Sequence, residues 1–168
     1  VLKLPASATT GEVQAKYAEA RVTARLHSET GERELDRLRR AQTELLDPRS
    51  RCIHEAAWFY EPPECLFDGV IANSDQVLRT FQEKTAIPGE TGIKGKHDLS
   101  NWLLLLATHS GESTKEHAIR ALLSWSELVV DPLYVELLTS SSGNQFPGVR
   151  EIWSTVVLPP FSTIMKKD

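Results

Sequence analysis

Apolar side chains recur every three to four residues along most of this chain, and almost no segment alternates apolar and polar residues with a period of two. The first spacing places apolar groups on one face of an α-helix, whereas a half-buried β-strand needs the second. The clearest runs are Val13, Tyr17, Ala20 and Ala24 near the start and Ala118, Leu122, Trp125 and Leu128 further on. The sequence therefore predicts an all-α protein.

Length and charge narrow the class of protein further. The chain has 168 residues, 40% of them hydrophobic, and a formal net charge of −4, which suits one ordinary domain or two small ones packed together. A negative net charge gives the chain no broad positive surface of the kind that binds nucleic acid. The longest apolar run, Trp102 to Ala107, is far shorter than the roughly 20 residues of a membrane helix. We expect neither a nucleic-acid nor a membrane partner.

The two cysteines indicate in which cellular compartment the protein is expected. Cys52 and Cys65 either pair in an oxidising compartment or remain two reduced, partly buried thiols, and a chain of this length favours the second. We therefore expect a cytoplasmic protein. Because the chain begins at Val1 and ends on a charged segment without a helix stop signal, we also expect it to be part of a longer one.

Composition changes partway along the chain. Residues 1–55 are densely charged and contain Tyr17 as their one aromatic residue, whereas all four tryptophans lie beyond them. Consecutive prolines at Pro62 and Pro63 cannot continue a helix. The sequence predicts a helical module over 1–60, a helical bundle over 64–158 and a loosely held tail over 159–168.

Capping signals predict where the first helices begin and end. Thr9 is an N-cap candidate with its capping-box partner at Glu12. A second helix should end at Asp47-Pro48, and a third should run from Arg49 to Tyr60.

Proline and glycine residues predict the helix ends and loops in the rest of the chain. A helix capped by Asn73 or Ser74 should end before Pro88, and the glycine-rich Ile87 to Gly95 should be a loop. The further expected elements are helices over Asp98 to Ser110, Glu112 to Val130, Pro132 to Leu138 and about Gly148 to Leu158, with a loop over Thr139 to Asn144 and a stop at Pro159-Pro160.

The first 55 residues resemble a J-domain, the helical module through which co-chaperones engage DnaK-type ATPases. The shared features, in chain order, are Leu4-Pro5 before a capped helix, Val13 four residues before Tyr17, Ala41 six before Asp47, and Arg51 four after it. This resemblance implies a helical hairpin and a protein partner, such as a DnaK-type chaperone. The C-terminal part resembles a tetratricopeptide hairpin faintly, around Leu99, Leu103 and Ala107, with an ordinary packed bundle as the alternative.

One departure from the J-domain pattern limits the implied activity. Members that stimulate ATP hydrolysis carry a His-Pro-Asp tripeptide between their two long helices. Here the aligned positions read Arg25-Leu26-His27, or His27-Ser28-Glu29 when shifted by two residues. We therefore expect a non-enzymatic interaction module, co-chaperone-like or scaffolding, that binds a chaperone or client without strong stimulation of its ATPase.

Candidate contact residues follow from the resemblance and from charge. Lys16, Arg21 and Arg25 are expected on one side of the first long helix, the side that J-domains turn toward an acidic partner, with His27 in the adjoining loop. The alternative is a solvated face on which Glu12 and Glu19 halve the local field. The neighbouring arginines at 33, 37, 39 and 40 either extend this patch or offset nearby acids.

A different function class rests on histidine and acid residues further along. His97, Asp98, His109 and Glu116 could form a metal or hydrolase-like site of an enzyme accessory domain, provided that the fold brings them together. No metal, cofactor or nucleophile motif accompanies them, so we predict no catalytic, cofactor or metal residue.

The tryptophans are the remaining candidates for contacts. Trp58 and Trp125 lie on apolar faces and are expected in the core. Trp102 should be buried in this domain or in a partner, and Trp153 could dock on sequence outside the chain.

Overall fold

The structure is a computed structural model that describes residues 4, 8–26, 31–67, 74–109, 114–142 and 146–165. Every regular element in these ranges is a helix, which confirms the all-α prediction. The helices are Thr10–Leu26 (α1), Gly31–Leu46 (α2), Pro48–Ala57 (α3), Glu64–Phe67 (α4), Ser74–Thr85 (α5), Glu90–His109 (α6), Thr114–Leu128 (α7), Pro132–Ser142 (α8), Val149–Ile152 (α9) and Leu158–Met165 (α10), with a π-helical turn, Trp153–Val157, between the last two. None of these described helices has the length and apolar character needed to cross a bilayer.

Helices α1 and α2 form a hairpin with its own apolar cluster. Val13, Ala24 and Leu38 are buried at its centre. The predicted capping box is confirmed, because the Thr9 backbone N–H donates to Glu12 Oε2 at 2.6 Å and the Glu12 N–H donates to Thr9 Oγ1 at 3.2 Å. The first helix therefore begins where its sequence signals place it.

Helix α3 joins the hairpin to the rest of the molecule. Asp47 is its N-cap and accepts from the Ser50 N–H at 2.8 Å, with Pro48 in the first turn. Two of its buried side chains, Cys52 and Ala56, belong to the main core, and α3 packs against α8 and the π-helical turn. The packing of α3 thus crosses the boundary predicted at residue 60, and α3 ends at Ala57, three residues before the predicted Tyr60.

Helix α6 is the central element of the bundle. It packs against α5 and α7 along its length and also contacts α8 and α10. Trp102 is fully buried on it, between Phe59 and Phe81 at ring-centroid distances of 6.3 and 6.4 Å. Trp125 is fully buried in the main core, as predicted.

The predicted loop from Ile87 to Gly95 is wrong, because α6 already begins at Glu90. A Cβ at Gly92 would lie 1.9 Å from the Ile87 carbonyl oxygen, and one at Gly95 would lie 2.6 Å from Lys84 Cβ. The absence of side chains at these glycines lets α5 and α6 approach closely. This close packing outweighs the poor helix propensity of glycine.

The predicted helix stop at Pro159-Pro160 is also wrong. A π-helical turn shifts the hydrogen-bond register, so that the Leu158 N–H donates to the Trp153 carbonyl. The two prolines then occupy the first turn of α10, where a helix needs no backbone donor. The expected tail is thus helical to residue 165, and its Ile164 packs on α6 and α7.

Two smaller expectations differ from the structure as well. Helix α8 continues through the loop expected from Thr139, as far as Ser142, while 143–145 lie outside the described residues. Trp58 is 36% exposed instead of buried, because α3 ends just before it and its ring lies at the surface. Neither Cys52 nor Cys65 forms a disulfide; the first is buried and the second half-buried.

Candidate functional site

The cations predicted on α1 do not share one face. Lys16 and Arg21 are five residues apart, which separates them by about 140° around the helix axis. Lys16 forms an ion pair with Glu19 at 2.8 Å, whereas Arg21 is exposed and makes no ion pair within the described ranges. The side chain of Arg25 and the whole of His27 lie outside the described residues.

Helix α2 carries a more coherent basic surface. Arg33, Arg37 and Arg40 follow the spacing i, i+4, i+7, so they lie within about 60° of one another around the helix. All three are exposed, and none forms an ion pair with another described residue. Arg39 lies on a different side and pairs with Asp36 at 3.2 Å. We call Arg33, Arg37 and Arg40 the arginine stripe.

The arginine stripe has an electrostatic consequence. Like charges at i, i+4 repel each other by about 0.2–0.5 kcal/mol on an exposed helix. An acidic partner would relieve this repulsion, and the guanidinium fork is suited to carboxylates. Glu44 lies on the same face one turn after Arg40 and pairs with His54 at 3.2 Å, so the stripe keeps a positive charge suited to an anionic protein surface.

The second set of predicted residues forms part of a buried polar network. Asp98 is 2% exposed, and its carboxylate accepts from the backbone N–H groups of Tyr60 at 2.8 Å and Glu61 at 2.9 Å. His97 is fully buried, with Nδ1 3.0 Å from Asp98 Oδ1 and Nε2 3.0 Å from the Ala56 carbonyl oxygen. These bonds hold the segment after α3 against α6.

Asn101 completes this network one turn further along α6. Its Nδ2 donates to the carbonyl oxygens of Ala56 at 3.2 Å and Trp58 at 2.7 Å. The segment that follows α3 therefore has its carbonyls bound by Asn101 and its N–H groups bound by Asp98. Polar groups buried this deeply cost free energy unless they are paired, and these are paired.

Aromatic rings close the network off from solvent. The His97 ring lies 4.8 Å from Tyr60, 5.5 Å from Trp125 and 5.6 Å from Tyr134, between ring centroids. Burial raises the pKa of Tyr60, and the Glu55 carboxylate beside it raises it further. Burial also raises the pKa of Tyr134, with Tyr60 and Glu55 adding to the effect. Both phenols thus stay protonated, and the His97 ring has no solvent-exposed surface at which a substrate could meet it.

The four residues of the alternative enzyme hypothesis do not converge. His109 lies twelve residues beyond His97 on the same helix, about 18 Å along its axis. Glu116 is exposed on α7 and lies 3.9 Å from Arg120. No group of three or more His, Cys, Asp or Glu side chains in the described ranges could hold a metal ion. The His97–Asp98 contact is thus part of the core, and the proposed four-residue site is not formed.

Sequence reasoning missed two features that carried a detectable signal. The arginine stripe follows the i, i+4, i+7 spacing, and this spacing alone sets it apart from Arg39. His97 and Asn101 are i, i+4 directly before the apolar run Trp102 to Ala107, so helical spacing places them on one face next to core positions. Their partners, backbone groups of the segment after α3, carry no side-chain signature.

The chain matches no protein-family model, no curated protein and no solved structure.

Proposed function

We propose that this chain is a non-enzymatic protein-interaction module, co-chaperone-like in its first third, whose α1–α2 hairpin binds an acidic protein surface. The observation that carries the proposal is the exposed arginine stripe without carboxylate partners among the described residues. In line with the J-domain resemblance, the partner is a DnaK-type chaperone or a client of one.

The hairpin has further features that support this proposal. It has its own apolar cluster and a capping box at its start, and Asp47-Pro48 begins the next helix at the position that the resemblance implies. Arg51 also donates to the Ala8 carbonyl and so ties α3 to the segment before α1. A hairpin braced at its base can present a charged face with little ordering cost on binding.

The proposed module binds without strongly stimulating ATP hydrolysis. The positions aligned with the His-Pro-Asp tripeptide hold neither the proline nor the aspartate. Proline restricts the backbone of that loop, and Glu29 would carry its charge on a longer side chain than aspartate. We further propose that the protein acts in the cytoplasm; the two cysteines form no disulfide, which supports this location.

A binding titration tests the proposal. The labelled chain is titrated with a DnaK-type chaperone at two ionic strengths, and fluorescence anisotropy is followed. Contacts between exposed charges weaken as salt shortens the Debye length to about 8 Å at physiological ionic strength, so the affinity should fall with salt. Replacing the stripe (Arg33→Gln, Arg37→Gln and Arg40→Gln) should weaken binding about tenfold or more, at about 0.5–1 kcal/mol per charge.

A matched variant controls for net charge. Arg79→Gln, Arg120→Gln and Arg150→Gln remove three positive charges from other helices and should leave the affinity within about twofold. Equal weakening by both triple variants would show that the stripe is not the contact surface, and no binding to any DnaK-type chaperone would overturn the choice of partner. Strong stimulation of single-turnover ATP hydrolysis would contradict the binding-only proposal.

A further inference from the structure

A groove of about 560 Å³ opens on the bundle between α6, the segment after α3 and the start of α10. Successive turns of α6 form the floor of the groove, with Asn101 at one end and Leu104, Leu105 and Thr108 along its length. Trp58 lies on one wall, and the π-helical turn with the start of α10 forms the other. A volume of this size is typical of small-molecule sites, which span about 300–1,000 Å³.

The lining determines the charge of a suitable ligand. No described residue that lines the groove is ionisable, and most are apolar. A charged ligand would lose its hydration there and gain no counter-charge, which is costly. The groove is therefore suited to an uncharged molecule, and the 36% exposed Trp58 ring offers it an aromatic contact.

The second wall supplies hydrogen-bond acceptors. In an α-helix the carbonyls of Thr155 and Val156 would accept from the N–H groups of residues 159 and 160, but both are prolines and have none. All four of these residues line the groove. A helical carbonyl points along the axis toward residue i+4, so the two freed carbonyls point toward Pro159 and Pro160, which line the groove. π-helical turns such as this one frequently occur at functional sites.

We propose that this groove binds an uncharged aromatic molecule that carries an N–H donor, and that the donor bonds to the carbonyls freed by Pro159 and Pro160. The aromatic part lies on the α6 floor and against Trp58. The site is independent of the proposed chaperone-binding hairpin, since the arginine stripe contributes no residue to it.

A pair of isosteric probes tests the donor requirement. Phenylindole carries an N–H group, whereas phenylbenzofuran has the same shape with an oxygen in its place. Affinities are measured by calorimetry on the full chain, and the Trp58 indole resonance locates binding by NMR. We expect phenylindole to bind about fivefold more tightly, the value of one net hydrogen bond of about 1 kcal/mol.

Four variants distinguish the contribution of the carbonyls from that of the shape of the groove. Pro159→Ala with Pro160→Ala returns N–H donors to the Thr155 and Val156 carbonyls, so both probes should bind equally. Pro160→Ala alone serves if the double variant does not fold, and Pro132→Ala at the start of α8 controls for loss of a proline. Thr155→Trp fills the groove and should weaken both probes more than about tenfold.

Three outcomes would overturn the proposal. They are the absence of saturable binding that shifts the Trp58 resonance, equal affinities for the two probes in the unaltered chain, and a preference for phenylindole that survives the proline replacements. None of these outcomes bears on chaperone binding by the hairpin, so failure of one proposal is distinguishable from failure of the other.

Discussion

Replacing Asp98 by alanine is the most informative single perturbation of this fold. The carboxylate accepts hydrogen bonds from the Tyr60 N–H at 2.8 Å and the Glu61 N–H at 2.9 Å, and His97 Nδ1 lies 3.0 Å from its Oδ1. Asp98→Ala leaves both backbone donors without an acceptor and removes the polar partner of His97 Nδ1. A buried donor that loses its acceptor costs about 1–3 kcal/mol.

The structure refines this magnitude. The Tyr60 N–H and the His97 ring are buried and regain no water when their partner is lost, whereas the Glu61 N–H is only partly buried and regains water. We therefore expect Asp98→Ala to lower the free energy of unfolding by about 3–5 kcal/mol, a large share of the roughly 5–15 kcal/mol that stabilises a typical domain. Asp98→Asn keeps one acceptor oxygen, so its stability should fall between those of Asp98→Ala and the unaltered chain.

Urea unfolding followed by circular dichroism measures this loss. Asp131→Ala is the matched control, because Asp131 Oδ1 accepts one backbone N–H, from Leu133 at 2.9 Å, at the start of α8. Loss of such a cap costs about 1 kcal/mol. If Asp98→Ala destabilises the chain no more than Asp131→Ala, the buried network does not hold the segment after α3 and the reasoning fails.

Three further predictions concern backbone packing and pH. In thermal unfolding, Gly95→Ala should destabilise the chain by about 1–3 kcal/mol, because the new Cβ would lie 3.0 Å from a backbone carbon of α5. The control Gly11→Ala places its Cβ no closer than 3.9 Å to any atom and should stabilise α1 by up to about 1 kcal/mol. Hydrogen bonds from the Thr9 N–H and hydroxyl lower the pKa of Glu12 below 4.5. The contribution of Glu12 to stability is therefore present above pH 4.5 and is lost as the pH falls through the lowered pKa. Acid titrations of unfolding should show the stabilities of the unaltered chain and Glu12→Gln converging at that lower pH. Burial raises the pKa of Tyr60 and Tyr134 above 10, so the stability of the fold should decrease as the pH rises beyond 10. Tyrosinate absorbance should show that these two phenols ionise only when the chain unfolds. Ionisation of either phenol in the folded chain would contradict its burial.

Local chemistry made much of the fold predictable. The Thr9–Glu12 capping box and the Asp47-Pro48 start of α3 depend on groups within four residues of each other, so the amino-acid sequence is enough to recognise them. The same holds for the spacing of the arginine stripe, because helical periodicity alone places its three residues on one face.

The errors occurred where packing or a shift in hydrogen-bond register outweighed the preference of a single residue. Gly92 and Gly95 read as loop residues, yet α6 runs through them, and the Ile87 carbonyl and Lys84 of α5 lie too close there for any side chain. Pro159 and Pro160 read as a stop, yet the helix continues because a π-helical turn moves them into a first turn that needs no donors.

The sequence by itself determined the helical class, the hairpin and its charged surface, since periodicity, capping and charge spacing are properties of neighbouring residues. Only the tertiary structure decided that His97 and Asp98 are buried apart from His109 and Glu116, and that α6, the π-helical turn and Trp58 enclose a groove. Those arrangements depend on contacts between residues 37 to about 100 positions apart, such as Tyr60 with Asp98 and Arg49 with Glu151, and no local pattern encodes such a pairing.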